Sequence, residues 1–134
     1  MKYILDTNIC IYWIKGNQNI ERKAVKRASD SISISFITLS ELYYGVYKSN
    51  KIKENLSALE ILKRKLNIIE SNAEICETFG ILKAELAKQG KMIDDADLFI
   101  AACALVNKST LVTNNEKHFE RIKGLKLENW LRTF

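Results

Sequence analysis

Three carboxylates within four positions are the feature of this sequence best suited to chemistry. Asp94, Asp95 and Asp97 stand in the segment IDDADLFIAA, directly before an apolar run that continues almost unbroken to Val106. The cap of a helix accounts for one of these acids, or for two. Asp94 and Asp97 would share one helix face, where like charges repel each other. A cation bound between them is therefore the alternative explanation.

Two further acids follow short segments elsewhere in the chain. Asp6 comes directly after residues 3–5, which have the pattern of a buried strand, and a carboxylate there is costly without a partner. Glu41 lies in TLSELYYG, early in a predicted helix. Each acid also has an ordinary structural interpretation. Asp6 could be the N-cap of the next helix, and Glu41 could form a capping box with Thr38.

The strands and helices that must position these acids alternate along the chain. Strands are predicted at residues 3–5, 31–35, 67–70, 110–113 and 126–129. Helices are predicted from a cap at Thr7 or Asn8 to about 15, at 19–29, from a cap at Thr38 or Ser40 to about 48, and at 52–65, 72–88, 94–106 and 115–122. This alternation predicts an α/β domain with a largely parallel sheet. Sites in such sheets form at the carboxyl ends of the strands, so the acids are expected to meet at one edge.

The side chains expected at this edge offer hard oxygen ligands, which favour Mg²⁺ or Mn²⁺ over zinc. The chain has one histidine and three scattered cysteines, Cys10, Cys76 and Cys103, which argues against a zinc site. The net charge of +5 modestly favours a polyanionic partner such as nucleic acid, although a solvated basic surface explains it equally well. The chemistry that matches both features is metal-assisted hydrolysis of a phosphodiester bond.

Length and composition limit the fold and its location. The 134 residues fit one domain, and a hydrophobic fraction of 47% is enough for a core. There is no apolar segment of about 18 residues that could span a membrane. Asp6 and Asn8 interrupt the apolar N-terminal stretch, which argues against a signal peptide. The scattered cysteines predict buried thiols and a cytoplasmic protein.

Four segments, in this order, resemble the PIN domain, and specifically the VapC type of bacterial toxin–antitoxin ribonuclease. They are YILDTNICIYW, SFITLSELYYG, IDDADLFIAACALVNKSTLVTNN and FERIKGLKLENW, and they span nearly the whole chain. The resemblance implies a single PIN domain over residues 1–134, with three α/β/α layers around a short, mainly parallel central sheet. It also implies an acidic pocket that binds Mg²⁺, or Mn²⁺ in its place, and cuts RNA.

The resemblance also implies partners. A VapB-type antitoxin would hold the enzyme inactive, and the chain would form a homodimer or a hetero-oligomer with that antitoxin. Promoter DNA would be bound only through the antitoxin, and no membrane is involved. Tyr43 and Tyr47, near the second segment, are interpreted as contacts to the antitoxin or to a second copy rather than as platforms for RNA bases.

Individual residues acquire roles from the same resemblance. Asp6, Glu41 and Asp97 match the family's catalytic acids. Asp6 and Asp97 are expected to hold the metal, while Glu41 binds it through water or acts as the base for the attacking water. Asp94 fits a position where acids occur less uniformly, and is either a further ligand or the helix cap.

Two residues are expected to support these acids. Thr113 matches a hydroxyl residue of the family that orients acids and water, and Asn8 is expected to support Asp6. The chain departs from the family's pattern after the strand predicted at residues 110–113, where related chains often carry a fourth acid. Asn115 and His118 stand at the two places where that acid is found. Asn115 could bind metal through its amide oxygen or position water. His118 could contact the phosphate, but it is interpreted as a surface histidine, and the missing acid favours one metal ion.

Other functions share parts of this pattern. A PIN-type RNA-processing nuclease without a toxin role would use the same acids, and a non-catalytic binding module would keep a degenerate acidic pocket. A phosphatase of the haloacid-dehalogenase type would need a second acid two positions after Asp6, where this chain has Asn8.

Overall fold

The computed structural model describes residues 1–132, which fold into five strands and seven helices. The strands are β1 (Lys2–Leu5), β2 (Ser31–Ser35), β3 (Asn67–Ile69), β4 (Thr110–Val112) and β5 (Leu127–Glu128). The helices are α1 (Thr7–Ile14), α2 (Gln18–Lys26), α3 (Phe36–Tyr47), α4 (Ile52–Lys63), α5 (Ala73–Gln89), α6 (Asp95–Val106) and α7 (Glu116–Phe119). The prediction of strands alternating with helices is confirmed.

The sheet has the strand order β3-β2-β1-β4-β5, and each of its neighbouring pairs is parallel. The chain first builds outward from β1 through β2 and β3, then returns to the other side of β1 for β4 and β5. The crevice between β1 and β4 is therefore a topological switch point, where open α/β sheets bind their ligands. Leu5 lies opposite Val112 in the register, so Asp6 and Thr113 leave the sheet side by side.

Two hydrophobic cores cover the two faces of the sheet. Because side chains alternate along a strand, Tyr3 and Leu5 of β1 pack with the core formed by α1 to α4, whereas Ile4 packs with the core formed by α5 and α6. The chain therefore has three layers, with helices on both faces of a parallel sheet. The predicted fold class is confirmed.

Helix α6 is buried along most of its length, as its apolar sequence predicts. Its buried positions are Leu98, Ile100, Ala101, Ala102, Cys103 and Ala104. Burial on several sides fixes the helix against α5 and the sheet, so its first turn, which carries Asp97, is held in a defined place. Among residues 1–132, none of the helices combines the length and apolar character needed to cross a membrane.

The start of α3 differs from the prediction of a cap at Thr38 or Ser40. The helix begins at Phe36, and Ser35 is its N-cap, with the Ser35 hydroxyl accepting a hydrogen bond of 3.1 Å from the Thr38 backbone N–H. Serine caps a helix well. Ser35 is both the last residue of β2 and the cap of α3, so no loop separates the strand from the helix. Glu41 then lies in the second turn, so the interpretation of Glu41 as part of a capping box is wrong.

The expectation of three buried thiols is also wrong in one case. Cys10 and Cys103 are buried, but Cys76 is exposed. Cys76 lies on the solvent side of α5, whose buried residues are Ile75, Leu82 and Leu86. The helix predicted at residues 115–122 is shorter, since α7 ends at Phe119.

Candidate active site

Asp6 is the only charged side chain that is buried among residues 1–132, with 7% of its surface exposed. Its Oδ1 accepts a hydrogen bond of 2.8 Å from the Thr7 backbone N–H, and its Oδ2 accepts one of 2.8 Å from the Thr113 hydroxyl. Its own N–H donates to the Val112 carbonyl of β4 at 2.9 Å. Asp6 is thus the N-cap of α1 and also the most enclosed acid at the carboxyl edge of the sheet.

The surroundings of Asp6 oppose its negative charge. Burial raises the pKa of the Asp6 carboxyl, whereas the hydrogen bonds from Thr113 and Thr7 lower it. The negative charges of Asp97 and Glu41 raise this pKa further. The fold therefore brings three acids from separate parts of the chain close enough to repel one another. We call Asp6, Glu41 and Asp97 the acid pocket.

Glu41 is linked to Asp6 through Thr7. The Thr7 hydroxyl donates to Glu41 Oε1 at 2.6 Å and lies 3.1 Å from the hydroxyl of Thr38, which is fully buried. One residue therefore orients two acids, through its backbone N–H and through its side chain. From the sequence, Thr7 is predicted only as a possible helix cap, and its contact with Glu41 is not predicted. The position of Thr7 directly after Asp6 was the feature of the sequence that could have indicated this contact.

The three acids at the start of α6 have different surroundings. Asp94 is exposed at the N-cap position and makes no side-chain capping hydrogen bond. Asp95 is 60% exposed and forms an ion pair of 2.9 Å with Lys83, away from the acid pocket. Asp97 is half-buried, and this burial raises the pKa of its carboxyl; His118 opposes the rise, while Glu41 and Asp94 add to it. Asp94 and Asp97 therefore do repel each other, as their spacing predicts.

His118 lies against Asp97 rather than on the open surface. Its Nε2 atom is 3.1 Å from Asp97 Oδ2, and 22% of its side chain is exposed. Nε2 is buried and has no well-aligned hydrogen bond from any residue the structure describes. The interpretation of His118 as a surface histidine is wrong, because the short α7 turns back over Asp97 while the buried Phe119 anchors it in the core.

The supporting residues are placed unequally. Thr113 is fully buried, and its hydroxyl both donates to Asp6 and accepts a hydrogen bond of 3.0 Å from the Asn115 backbone N–H. The side chains of Asn8 and Asn115 are exposed, and neither forms a hydrogen bond within residues 1–132. Thr113 thus contacts the acid pocket directly. The roles of Asn8 and Asn115 stay predictions.

The acid pocket has the ligand chemistry of a hard cation site. Within residues 1–132, no three acidic, histidine or cysteine side chains converge on one point, because Glu41 is turned to Thr7 and Asp97 to His118. Asp97 Oδ1 and Glu41 Oε2 have no protein partner in that range. In the same part of the chain, no lysine or arginine nitrogen lies within 4.0 Å of an acid-pocket carboxylate. An all-oxygen donor set of this kind, with no lysine or arginine to compensate it among the described residues, fits Mg²⁺ or Mn²⁺.

Comparisons with known proteins agree with the fold. The sequence pattern of the PIN domain family matches residues 3–125. Ribonuclease VapC2 of Rickettsia felis is 44% identical, over 97% of this chain and 98% of its own. A tRNA(fMet)-specific endonuclease VapC of Shigella flexneri is 36% identical, over 97% of this chain and 98% of its own.

A solved structure extends the comparison to three dimensions. In the crystal structure of VapBC2 from Rickettsia felis bound to a DNA fragment from their promoter, one chain superposes with a TM-score of 0.94 and 44% identity, covering 97% of this chain and 99% of that one. The DNA-bound VapBC of Salmonella typhimurium gives a TM-score of 0.92 at 36% identity, over 97% of this chain and 98% of that one. The chain belongs to the PIN domain family and, within it, to the VapC ribonucleases.

Proposed function

We propose that this chain is a metal-dependent endoribonuclease that acts in the cytoplasm as the toxin of a toxin–antitoxin pair. The observation that carries the proposal concerns Asp6. Its carboxyl group is buried, and the negative charges of Asp97 and Glu41 raise its pKa. Perturbed acids of this kind cluster at functional sites. The ribonuclease names of the relatives support RNA as the substrate.

Asp6 and Asp97 are the residues we propose as metal ligands, with Asp94 beside them on α6. When bound, Mg²⁺ or Mn²⁺ would offset negative charge on the phosphate and activate a water molecule for attack on phosphorus. The hydroxyl of Thr113 and the backbone N–H of Thr7 keep the Asp6 carboxylate in one orientation. Each Asp6 oxygen retains acceptor capacity beyond these single hydrogen bonds.

Glu41 is the residue we propose to bind the ion through water or to accept a proton from the attacking water. Its Oε1 is fixed by the Thr7 hydroxyl, whereas its Oε2 has no protein partner among the described residues. The side chain is exposed at the mouth of the acid pocket. It can therefore reach a solvent molecule while staying within electrostatic range of Asp6.

An apolar groove of about 330 Å³ lies next to Glu41, between α1, α3 and α4. Its lining includes Ile11, Ile14, Leu42, Val46, Lys15 and Lys48. We propose a segment of a VapB-type antitoxin as its occupant, because the similar solved structures are VapBC complexes and a segment in this groove would reach the acid pocket. The same complexes support binding of promoter DNA through the antitoxin.

The two tyrosines interpreted as partner contacts differ in the structure. Tyr47 is exposed and available to a partner. Tyr43 is half-buried, and its hydroxyl hydrogen-bonds with Glu60 and Lys63 of α4. Tyr43 therefore joins α3 to α4, and only Tyr47 stays a candidate for the interface.

Purified protein incubated with cellular RNA tests the proposed activity. Cleavage should require added Mg²⁺ or Mn²⁺, stop on chelation, and disappear in Asp97→Asn. The matched control is Asp95→Asn, which changes an acid two positions earlier on the same helix, paired with Lys83 outside the pocket, and should cleave normally. Cleavage that persists in a chelator, or in Asp97→Asn, would contradict the proposal.

The groove can be tested separately from the chemistry. Ile14→Arg should weaken inhibition by the cognate antitoxin without reducing cleavage by the free enzyme, because it places a charge in the apolar groove. Ile81→Arg is the control, since Ile81 is an exposed isoleucine on α5, on the other face of the sheet. Equal inhibition of both variants would exclude the groove as the antitoxin site.

A further inference from the structure

His118 is the only histidine of the chain, and it is in contact with a proposed metal ligand. Its Nε2 lies 3.1 Å from Asp97 Oδ2. A lone pair on Nε2 would repel the carboxylate oxygen, whereas an N–H at this position attracts it, so we assign the proton to Nε2. Asp97 then has one oxygen facing a protein donor and only Oδ1 free for a cation.

Few oxygens of these acids are free of protein hydrogen bonds, which limits how the acids can join two ions. Two-metal sites hold their ions about 3.5–4 Å apart, which requires carboxylates that can bridge through both oxygens. Each oxygen of Asp6 already accepts a protein hydrogen bond, one from Thr7 and one from Thr113. One oxygen of Glu41 is likewise taken by Thr7. The bridging role would fall to Asp97, whose second oxygen faces His118.

The carboxylate between β4 and His118 is also engaged. Glu116 is the one acid between β4 and His118, and its Oε1 lies 2.6 Å from Arg132 Nη2. Asn114 and Asn115, which precede it, are exposed amides without charge. The segment between β4 and His118 therefore contributes no free carboxylate that could hold a second ion beside Asp97, and Glu120, two positions after His118, is exposed at the end of α7.

We propose that His118 makes the acid pocket a one-metal site, because its imidazole N–H occupies the place beside Asp97 Oδ2 that a second cation would otherwise occupy. In this proposal, which rests on the proposed metal-dependent function, His118 is a positioning residue: it acts on Asp97 and leaves Oδ1 to the single ion. His118 thus limits the carboxylate oxygens that can bind cations, and the number of ions bound per chain can be measured.

The experiment counts bound Mn²⁺ on the full chain without a histidine tag, by electron paramagnetic resonance of the free ion during titration. The wild type should bind one Mn²⁺ per chain. His118→Gln should also bind one, since its amide N–H can still face Asp97 Oδ2 and it adds no carboxylate, whereas His118→Glu should bind two. Lys117→Glu is the control, because it adds a carboxylate at the neighbouring exposed position of α7, and it should still bind one.

Nitrogen coupling to the bound Mn²⁺ gives a second readout that needs no variant. Because the chain has one histidine, an imidazole nitrogen signal in the electron spin echo would show that His118 is itself a ligand, which would overturn the proposal. Two Mn²⁺ in the wild type, or one in His118→Glu, would overturn it as well while leaving the proposed function intact. No Mn²⁺ binding by the wild type would instead contradict the metal site of the proposed function, and this inference with it.

Discussion

Two acids lie at the carboxyl edge of the sheet, Asp6 after β1 and Glu128 at the end of β5. The side chains that surround them differ in charge. Glu128 Oε1 accepts a hydrogen bond of 3.0 Å from Trp130 Nε1 and lies 3.6 Å from Arg27 Nη2. The Arg27 guanidinium lies over the rings of Tyr3 and Trp130, at 5.5 and 5.4 Å from their centroids. We call these four residues the Arg27 cluster. Asp6, in contrast, faces two other acids.

The Arg27 cluster holds a charge that stabilises the protein, whereas the acid pocket holds charges that we propose are kept for binding a cation. In the Arg27 cluster, the acid is compensated by the protein's own cation, and the cluster ties α2 and the C-terminal segment to β1. In the acid pocket, burial and repulsion between carboxylates cost stability. Such a cost is typical of active sites, where stability and activity conflict. The two regions should therefore respond differently to mutation.

The largest difference is expected for Asp6→Asn. Metal-ion stabilisation of a transition state is worth several kcal/mol, and about 1.4 kcal/mol corresponds to a tenfold change in rate. RNA cleavage should thus fall by about a hundredfold or more. The free energy of unfolding should stay the same or rise, because asparagine still caps α1 and the repulsion from Asp97 and Glu41 is removed. Cleavage rates and urea denaturation measure the two effects.

The matched variant for that test is Glu128→Gln, which neutralises the acid of the Arg27 cluster. It should keep full cleavage activity and lose stability. If the Asp6→Asn enzyme keeps more than about a tenth of the wild-type cleavage rate, the loss is smaller than metal catalysis predicts. The acid pocket and the Arg27 cluster would then not differ in their importance for cleavage.

The next effect in size is expected for Arg27→Met, which keeps much of the side-chain volume and removes the charge. The variant loses the hydrogen bond of 3.1 Å from Arg27 Nε to the Tyr3 hydroxyl, the contact with Glu128 and the stacking on two rings. The free energy of unfolding should fall by about 1–3 kcal/mol. Cleavage per folded molecule should not change. A loss of cleavage without a loss of stability would mean that the cluster belongs to the active site.

A smaller effect is expected for Thr113→Val, which keeps the shape of the side chain and removes its hydroxyl. Asp6 Oδ2 then loses its donor, at a cost of about 1–3 kcal/mol in stability, and the carboxylate is less well oriented. Cleavage should fall by about tenfold, equivalent to about 1.4 kcal/mol. Thr113→Ser restores the hydroxyl and should restore most of the rate. If the serine variant is as slow as the valine variant, the hydroxyl is not what matters.

The smallest effect is a change of stability with pH. The pKa values of Asp6 and Asp97 lie above their ordinary value of 3.8, so the folded protein binds these protons more tightly than the unfolded chain. As pH rises from 3.8 through the raised pKa values, the unfolded chain loses its protons first, and the free energy of unfolding falls. Melting curves in a chelator should show this fall in the wild type and a smaller one in Asp6→Asn. Identical pH profiles would contradict the pKa shifts.

The sequence predicts the parts of this site that depend on local pattern. Asp6 stands out because a short apolar strand ends at a carboxylate, and Asp97 because an apolar helix begins with one. The alternation of strands and helices predicts a parallel sheet, and hence a common edge for both acids. The three layers then follow from the resemblance to the PIN domain, whereas the order of the strands comes only from the structure.

Other parts depend on contacts between distant segments and could not be predicted in this way. Thr7 orients Glu41 only because α3 starts directly at the end of β2, which places Thr38 and Glu41 beside α1. The cap at Ser35 that causes this early start competes with two equally good candidates in the sequence. The position of His118 depends on the rotation of the four-residue α7, which no periodicity reveals in so short a helix.

We propose that the acid pocket is maintained for a divalent cation, and anomalous diffraction from crystals soaked in Mn²⁺ is the decisive test. The predicted result is a peak in the acid pocket, at about 2.1 Å from carboxylate oxygens of Asp6 and Asp97, the range typical of a small hard cation. The same crystals of Asp6→Asn should lack this peak. Mn²⁺ bound elsewhere on the wild-type protein, with none in the acid pocket, would contradict the claim.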